Sequence, residues 1–189
     1  MRLTEAYERA QAEFDRRVRR VGAGQWSAPT PCTAWSVRDL VGHLTAEQLW
    51  APHLLRGETL AEVGDRYDGD VLGEDPVAAW ERAARGAREA FAAPGALEGT
   101  VHTSGGPTPA EEYARQMTLD LAVHAWDLAR GIAADDRLDE EVAATVYGFV
   151  APQIDGWQGL GIFDPPVEVA RDAPVQDRLV ALLGRDPAR

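Results

Sequence analysis

The sequence predicts an all-α fold, and two observations carry that prediction. Apolar residues recur at alternating spacings of three and four through successive segments, the period of helices that each bury one face. Those segments open on capping residues and close on Gly or Pro, whereas the pieces that read as extended, near Thr100 to Pro107 and at Val167-Glu168-Val169, are short. With 189 residues the chain is expected to form a single domain over 1–189 with a substantial core.

Leu3, Tyr7, Ala10, Phe14, Val18 and Val21 trace the first helix, with Glu8, Asp15, Arg16 and Arg20 between them, and it ends near Gly22 to Gly24. The link from Trp26 to Ala34 is turn-rich, because Pro29 and Pro31 prevent helix. Ser36 caps the second helix, Asp39 completes a capping-box pattern, and Trp35 with Leu40 can staple its start. Val37, Leu40, Val41, Leu44, Gln48 and Leu55 form its core face, and His43 sits at the edge of that stripe with Asp39 and Glu47 one turn to either side. Gly57 to Gly73 reads as an exposed, acidic connection. Its Asp65, Asp68 and Asp70 lack the spacing and the closing Glu of a calcium loop.

Asp75-Pro76 opens a third helix with Val77, Trp80, Ala84, Ala87 and Phe91 as its seam, and Pro94-Gly95 ends it. After the loop at Thr100 to Pro107, a central helix is predicted from Thr108-Pro109, with Glu111 three residues past the cap, to Gly131 as a left-handed stop. A fifth helix starts at Asp139 and turns Val142, Val146, Phe149 and Val150 inward. Gly156 to Ala173 is irregular, and a last helix from Pro174 to Leu183 closes at Gly184.

The central helix carries a polar stripe where a core face is expected: Tyr113, Met117, Asp120, His124, Asp127 and Leu128 lie together at 100° per residue. Ionised groups buried there without partners would cost several kcal/mol. A cation answers that cost, since residues four apart on a helix have Cβ atoms roughly 5–6 Å apart and Asp120 and His124 can converge on one ion. His43 is the natural third ligand. A hydrogen-bonded core network, or a solvated helix face, is the competing reading.

Two imidazoles and a carboxylate suit zinc, nickel, iron or manganese rather than magnesium, and three protein ligands leave a position for water or substrate. Asp127, one turn past His124, and Glu47, one turn past His43, are placed to orient a ligand imidazole from behind, although a salt bridge is the simpler expectation for Glu47. No catalytic residue is assigned. Trp80 and Trp126 fall in core registers. Trp26, Trp35 and Trp157 lie in or beside loops, where core packing is favoured over walling a pocket, and Cys32 reads as a small hydrophobe. His53 and His102 are expected to be structural or exposed.

With 31 acidic residues against 19 basic ones, a net charge of -12, nucleic acid and anionic membrane are poor partners. No signal peptide and no apolar run long enough to span a bilayer is present, so a cytoplasmic location is expected. The single cysteine excludes an intramolecular disulfide and a Cys-rich zinc site. Nucleotide-binding glycine fingerprints, nucleophile elbows and His-Glu-x-x-His motifs are also missing.

Thr30-Pro31-Cys32-Thr33-Ala34-Trp35-Ser36-Val37-Arg38-Asp39-Leu40-Val41-Gly42-His43-Leu44, followed by Asp120-x-x-x-His124-Ala125-Trp126-Asp127-Leu128-Ala129, resembles the DinB/YfiT-like metalloenzyme superfamily. Within it the chain is similar to the branch of the mycothiol-dependent maleylpyruvate isomerase N-terminal domain, over essentially its whole length. The resemblance implies a DinB-like four-helix bundle core with additional short helices and an irregular C-terminal segment. It further implies a divalent metal, usually zinc, on His43, Asp120 and His124, and mycothiol bound through sulfur as a cosubstrate. Two departures matter: the isomerase has Glu where this chain has Asp120, one methylene shorter, and it carries a C-terminal domain with substrate contacts.

Maleylpyruvate isomerisation itself is therefore not expected. The function implied is activation of a low-molecular-weight thiol for transfer to, or isomerisation of, a small electrophile. The alternatives are a non-catalytic metal-binding or stress-response module, and a hydrolase using metal-bound water. Pairing into a homodimer through an exposed helix face is a further expectation for bundles of this kind.

Overall fold

Among the described residues ten elements follow one another: α1 (Leu3–Val18), α2 (Val37–Leu55), α3 (Leu60–Val63), α4 (Pro76–Phe91), β1 (Thr100–Thr103), β2 (Gly106–Pro109), α5 (Ala110–Gly131), α6 (Glu140–Val150), α7 (Ile154–Trp157) and α8 (Val175–Leu182). This computed structural model describes residues 1–32, 34–157 and 163–188. The expected irregular stretch from Gly156 thus falls partly outside the described residues, at 158–162, as does Thr33 of the first link.

The four long helices form the bundle: α1 packs on α5, α2 on α4, and the two pairs close through α2 on α5 and α1 on α4. The apolar stripes read from the sequence meet at its centre, where Phe14, Leu40, Leu44, Trp80, Leu121 and Leu128 are fully buried. Phe14 and Trp80 meet edge to face at 4.7 Å between ring centroids, so α1 and α4 are joined by a shape-specific contact. A polar knot sits inside this core. Tyr7 donates to Gln48 Oε1 at 2.7 Å, while Gln11 Nε2 reaches Gln48 Oε1 and the Ala84 carbonyl at 2.9 Å each, tying α1, α2 and α4 together. A short layer, α6 against α8, flanks α5 and α1. No helix among the described residues is long and apolar enough to cross a membrane.

Caps were readable where a side chain supplies them. Ser36 and Asp39 form the expected reciprocal box, Asp75 accepts from the Ala78 N–H at 3.0 Å, and Asp139 accepts from Glu141 and Val142. The central helix departs from expectation at both ends. Thr108 is strand rather than cap, because its hydroxyl is taken by Thr103 Oγ1 at 3.0 Å across the β1–β2 hairpin and by the Gly106 carbonyl at 3.1 Å within β2, and α5 starts uncapped after Pro109. Gly131 is the last helical residue and not left-handed; the positive φ, 54°, belongs to Ala133. Its lack of a side chain serves a close approach instead: a Cβ there would lie 3.1 Å from Thr30 Cγ2 and 3.2 Å from the Pro29 carbonyl and Val37 Cγ2. The end of α5 is thereby pressed against the segment that leads into α2. The acidic connection contains a turn of helix, α3, that periodicity does not show, started by a Thr59–Glu62 capping box.

Gly184 is fixed more tightly. It follows α8 at φ +81°, and a Cβ would stand 2.5 Å from Asp164 Cβ and 2.7 Å from the Asp164 carbonyl. Gly184→Ala therefore meets both a left-handed backbone and an overpacked contact, together about 2–4 kcal/mol of destabilisation. Urea unfolding should show it as a lower midpoint at unchanged slope.

Candidate metal centre

His43 is placed by the start of α2. The capping box fixes the first turn, with the Ser36 N–H donating to Asp39 Oδ2 at 3.0 Å, and His43 follows one turn later on the edge facing α5. Asp120 and His124 are supplied by one face of α5, and the Gly131 contact holds that helix close to the Trp26–Ala34 link. The result brings all three residues together: one ligand atom from each of His43, Asp120 and His124 lies within 4.8 Å of the others. His43 Nε2 stands 3.2 Å from Asp120 Oδ2, and the two imidazoles meet edge to face at 5.6 Å between centroids.

The state of His124 is set from behind. Its Nδ1 lies 2.9 Å from Asp127 Oδ2, and that carboxylate also receives Arg185 Nη2 at 2.9 Å. Asp127 is fully buried. Burial opposes its charge, but the His124 hydrogen bond and the Arg185 guanidinium outweigh it and hold the carboxyl below its ordinary range. An ionised carboxylate only accepts, so Asp127 takes its hydrogen bond from the Nδ1–H of His124, and in the neutral ring this places the lone pair on Nε2. This is the chemistry a cation requires of a ligand imidazole, and a core hydrogen-bond network would not need it.

The other two groups are poised for the same exchange. Burial works against the Asp120 carboxylate, yet the His43 hydrogen bond and the charges of His124, His43 and Arg185 keep it below the usual value. For His43, burial lowers the pKa and Asp120 raises it, by hydrogen bond and charge together with Glu47, and the raising wins. The donor set can thus hold a divalent ion with an open side, since a cavity of about 460 Å³ opens over the three residues.

Trp35 fills both places open to it: half-buried, it packs against the core, and it covers the imidazoles in the cavity wall, its ring 4.6 Å from that of His43 and 5.5 Å from that of His124. Trp80 and Trp126 are core, as expected. Cys32 lines the cavity without joining the ligand cluster, and burial pushes its thiol up, with Arg185 offsetting this only in part. Glu47 forms no ion pair or hydrogen bond among the described residues; burial, then the charge of Asp120, pushes its carboxyl up. It touches His43 only through charge. His53 is structural, held between Glu58 and Tyr67 at 2.8 Å each. Arg185 was not readable beforehand: 58 positions separate it from Asp127, and the only local signal was a basic residue following the Gly184 stop.

A family model described as the mycothiol maleylpyruvate isomerase N-terminal domain matches residues 7–129. Two uncharacterized proteins of Mycobacterium tuberculosis, one from strain CDC 1551 / Oshkosh and one from strain ATCC 25618 / H37Rv, are each 35% identical over 188 residues, covering 95% of this chain and 96% of theirs. No solved structure matches the chain.

Proposed function

Since the chain belongs to the mycothiol maleylpyruvate isomerase N-terminal domain family, within the DinB-like superfamily, we propose that it is a divalent-metal enzyme, a zinc enzyme by preference, that activates a low-molecular-weight thiol such as mycothiol for reaction with a small electrophile. The observation that carries this reading is the convergence of His43, Asp120 and His124 under an open cavity, with the His124 lone pair fixed by Asp127. When bound, the cation supplies Lewis acidity that favours loss of a thiol proton. His43, Asp120 and His124 would hold it, a set that suits zinc, nickel, iron or manganese better than magnesium.

The remaining residues prepare the site. Asp127 keeps the proton on His124 Nδ1, and Arg185 keeps Asp127 ionised. Trp35 covers one side of both imidazoles and limits the approach of water to them. Asp120 and His124 leave the cavity side free for a ligand atom. Calorimetry of the zinc-loaded chain with mycothiol tests this reading. Thiol binding at one equivalent is expected, and hydrolysis of esters or amides without added thiol would instead select a hydrolase.

Proton and cation compete for His43 Nε2, which gives the proposal a pH signature. Because Asp120 raises the His43 pKa above 6.5, the ring stays protonated, and closed to metal, through a range where an unperturbed His would already be free. Apparent zinc affinity should rise by up to about tenfold per pH unit while that proton is displaced, and level off once His43 is neutral. Competition titrations over about pH 5 to 8 check the slope; a flat profile contradicts it.

A further inference from the structure

The cavity over the metal centre carries a charge that no described residue answers. Asp164 lines it, exposed at its mouth, and among the described residues its carboxylate makes no hydrogen bond and no ion pair. The backbone that carries it is fixed. A Cβ on Gly184 would stand 2.5 Å from Asp164 Cβ, and the Val167 N–H donates to the Ala181 carbonyl at 2.8 Å, so the segment lies against the end of α8. A carboxylate on a stiff segment loses little freedom when it takes a partner. Its field also enters the cavity: the Cys32 thiol is pushed up by burial first, and the Asp164 charge adds to that.

The other charges around this cavity cancel. Arg185, the cation in its wall, gives Nε and Nη2 to Asp127 and Nη1 to the Leu183 carbonyl, so all its nitrogens are engaged and its charge is matched. A divalent ion is balanced by the Asp120 carboxylate and the deprotonated thiol of the reading above. What remains is Asp164, which disfavours a carboxylate on an incoming molecule and favours a cation. Two aromatic rings stand beside it: Trp35 and Phe163 line the same cavity, and Phe163 is backed by Trp157 at 6.0 Å between centroids. Ring faces attract an alkylammonium group and tolerate its apolar substituents, so a carboxylate among aromatic rings is the environment that takes one.

We propose that Asp164, with Trp35 and Phe163, selects an electrophile that carries an alkylammonium group and holds that group at the cavity mouth, with the reacting end toward His43, Asp120 and His124. The proposal rests on the thiol reading above and names the charge class of the second substrate. The test is calorimetry on the zinc-loaded full chain saturated with mycothiol, using two unreactive acetamides of one shape, one ending in a trimethylammonium group and the other in the neutral tert-butyl group. The cationic acetamide should bind about tenfold more tightly, the combined value of an exposed ion pair and a cation–π contact. That preference should shrink at about 1 M salt.

Asp164→Asn should remove about fivefold of the preference, the loss falling on the cationic acetamide, and Asp164→Glu should restore part of it. Because Asn keeps the Cβ that meets Gly184, melting temperature and zinc content should match the parent and serve as controls. Equal binding of the two acetamides, binding of neither, or an Asp164→Asn chain that weakens both alike would overturn the proposal while leaving the thiol reading standing. A zinc-loaded chain that takes up no mycothiol would overturn both.

Discussion

His43→Ala and His124→Ala each strip the chain of stoichiometric metal. Even an outer partner of a ligand imidazole is worth about 10–100-fold in metal affinity, so loss of a ligand itself should exceed about 100-fold and drop occupancy well below one ion per chain. The His43→Ala fold should survive, because His43 lies at the rim with 29% of its side chain exposed and its ring makes one hydrogen bond, to Asp120, while His124→Ala is the costlier change, since it takes one partner from buried Asp127 and leaves it Arg185. Elemental analysis with far-ultraviolet circular dichroism separates the two effects. Retained metal with normal thiol turnover in either variant would remove the basis of the proposed function.

Arg185→Met should be the most damaging single change to stability. It leaves Asp127, fully buried, with one hydrogen-bond partner and no countercharge. Breaking a buried pair in this way costs about 3–5 kcal/mol, roughly 10 °C in melting temperature for a chain of this size. Because Asp127 is held below the ordinary carboxylate value, the pair's contribution is present above the unfolded carboxyl's pKa and is lost as pH falls through the folded one. The double variant Asp127→Leu with Arg185→Leu separates structure from site. Removing both charges should recover much of the stability. Metal affinity should stay about 10–100-fold down, since nothing then holds the proton of His124 on Nδ1.

What could be read beforehand follows the range of each interaction. Asp120 and His124 are four residues apart on one helix, and His43 lies about two turns inside a well-capped one, so local spacing sufficed to group them. The bundle was legible for the same reason, from periodic apolar seams bounded by Ser36, Asp75 and Asp139. Long-range features were not. Arg185 reaches Asp127 only because α8 packs on α6 and returns the chain to α5. Thr108 and Gly131 were misassigned because residues that cap helices also pair strands and permit close contacts, and tertiary neighbours decide which.

The most direct test is X-ray absorption on untagged protein loaded with one equivalent of zinc, before and after addition of thiol. Two imidazole nitrogens and one carboxylate oxygen at about 2.0–2.2 Å are expected, with a sulfur appearing at about 2.3 Å once thiol is present. A shell without imidazole, or a chain that takes up no stoichiometric zinc, would contradict the account at its root.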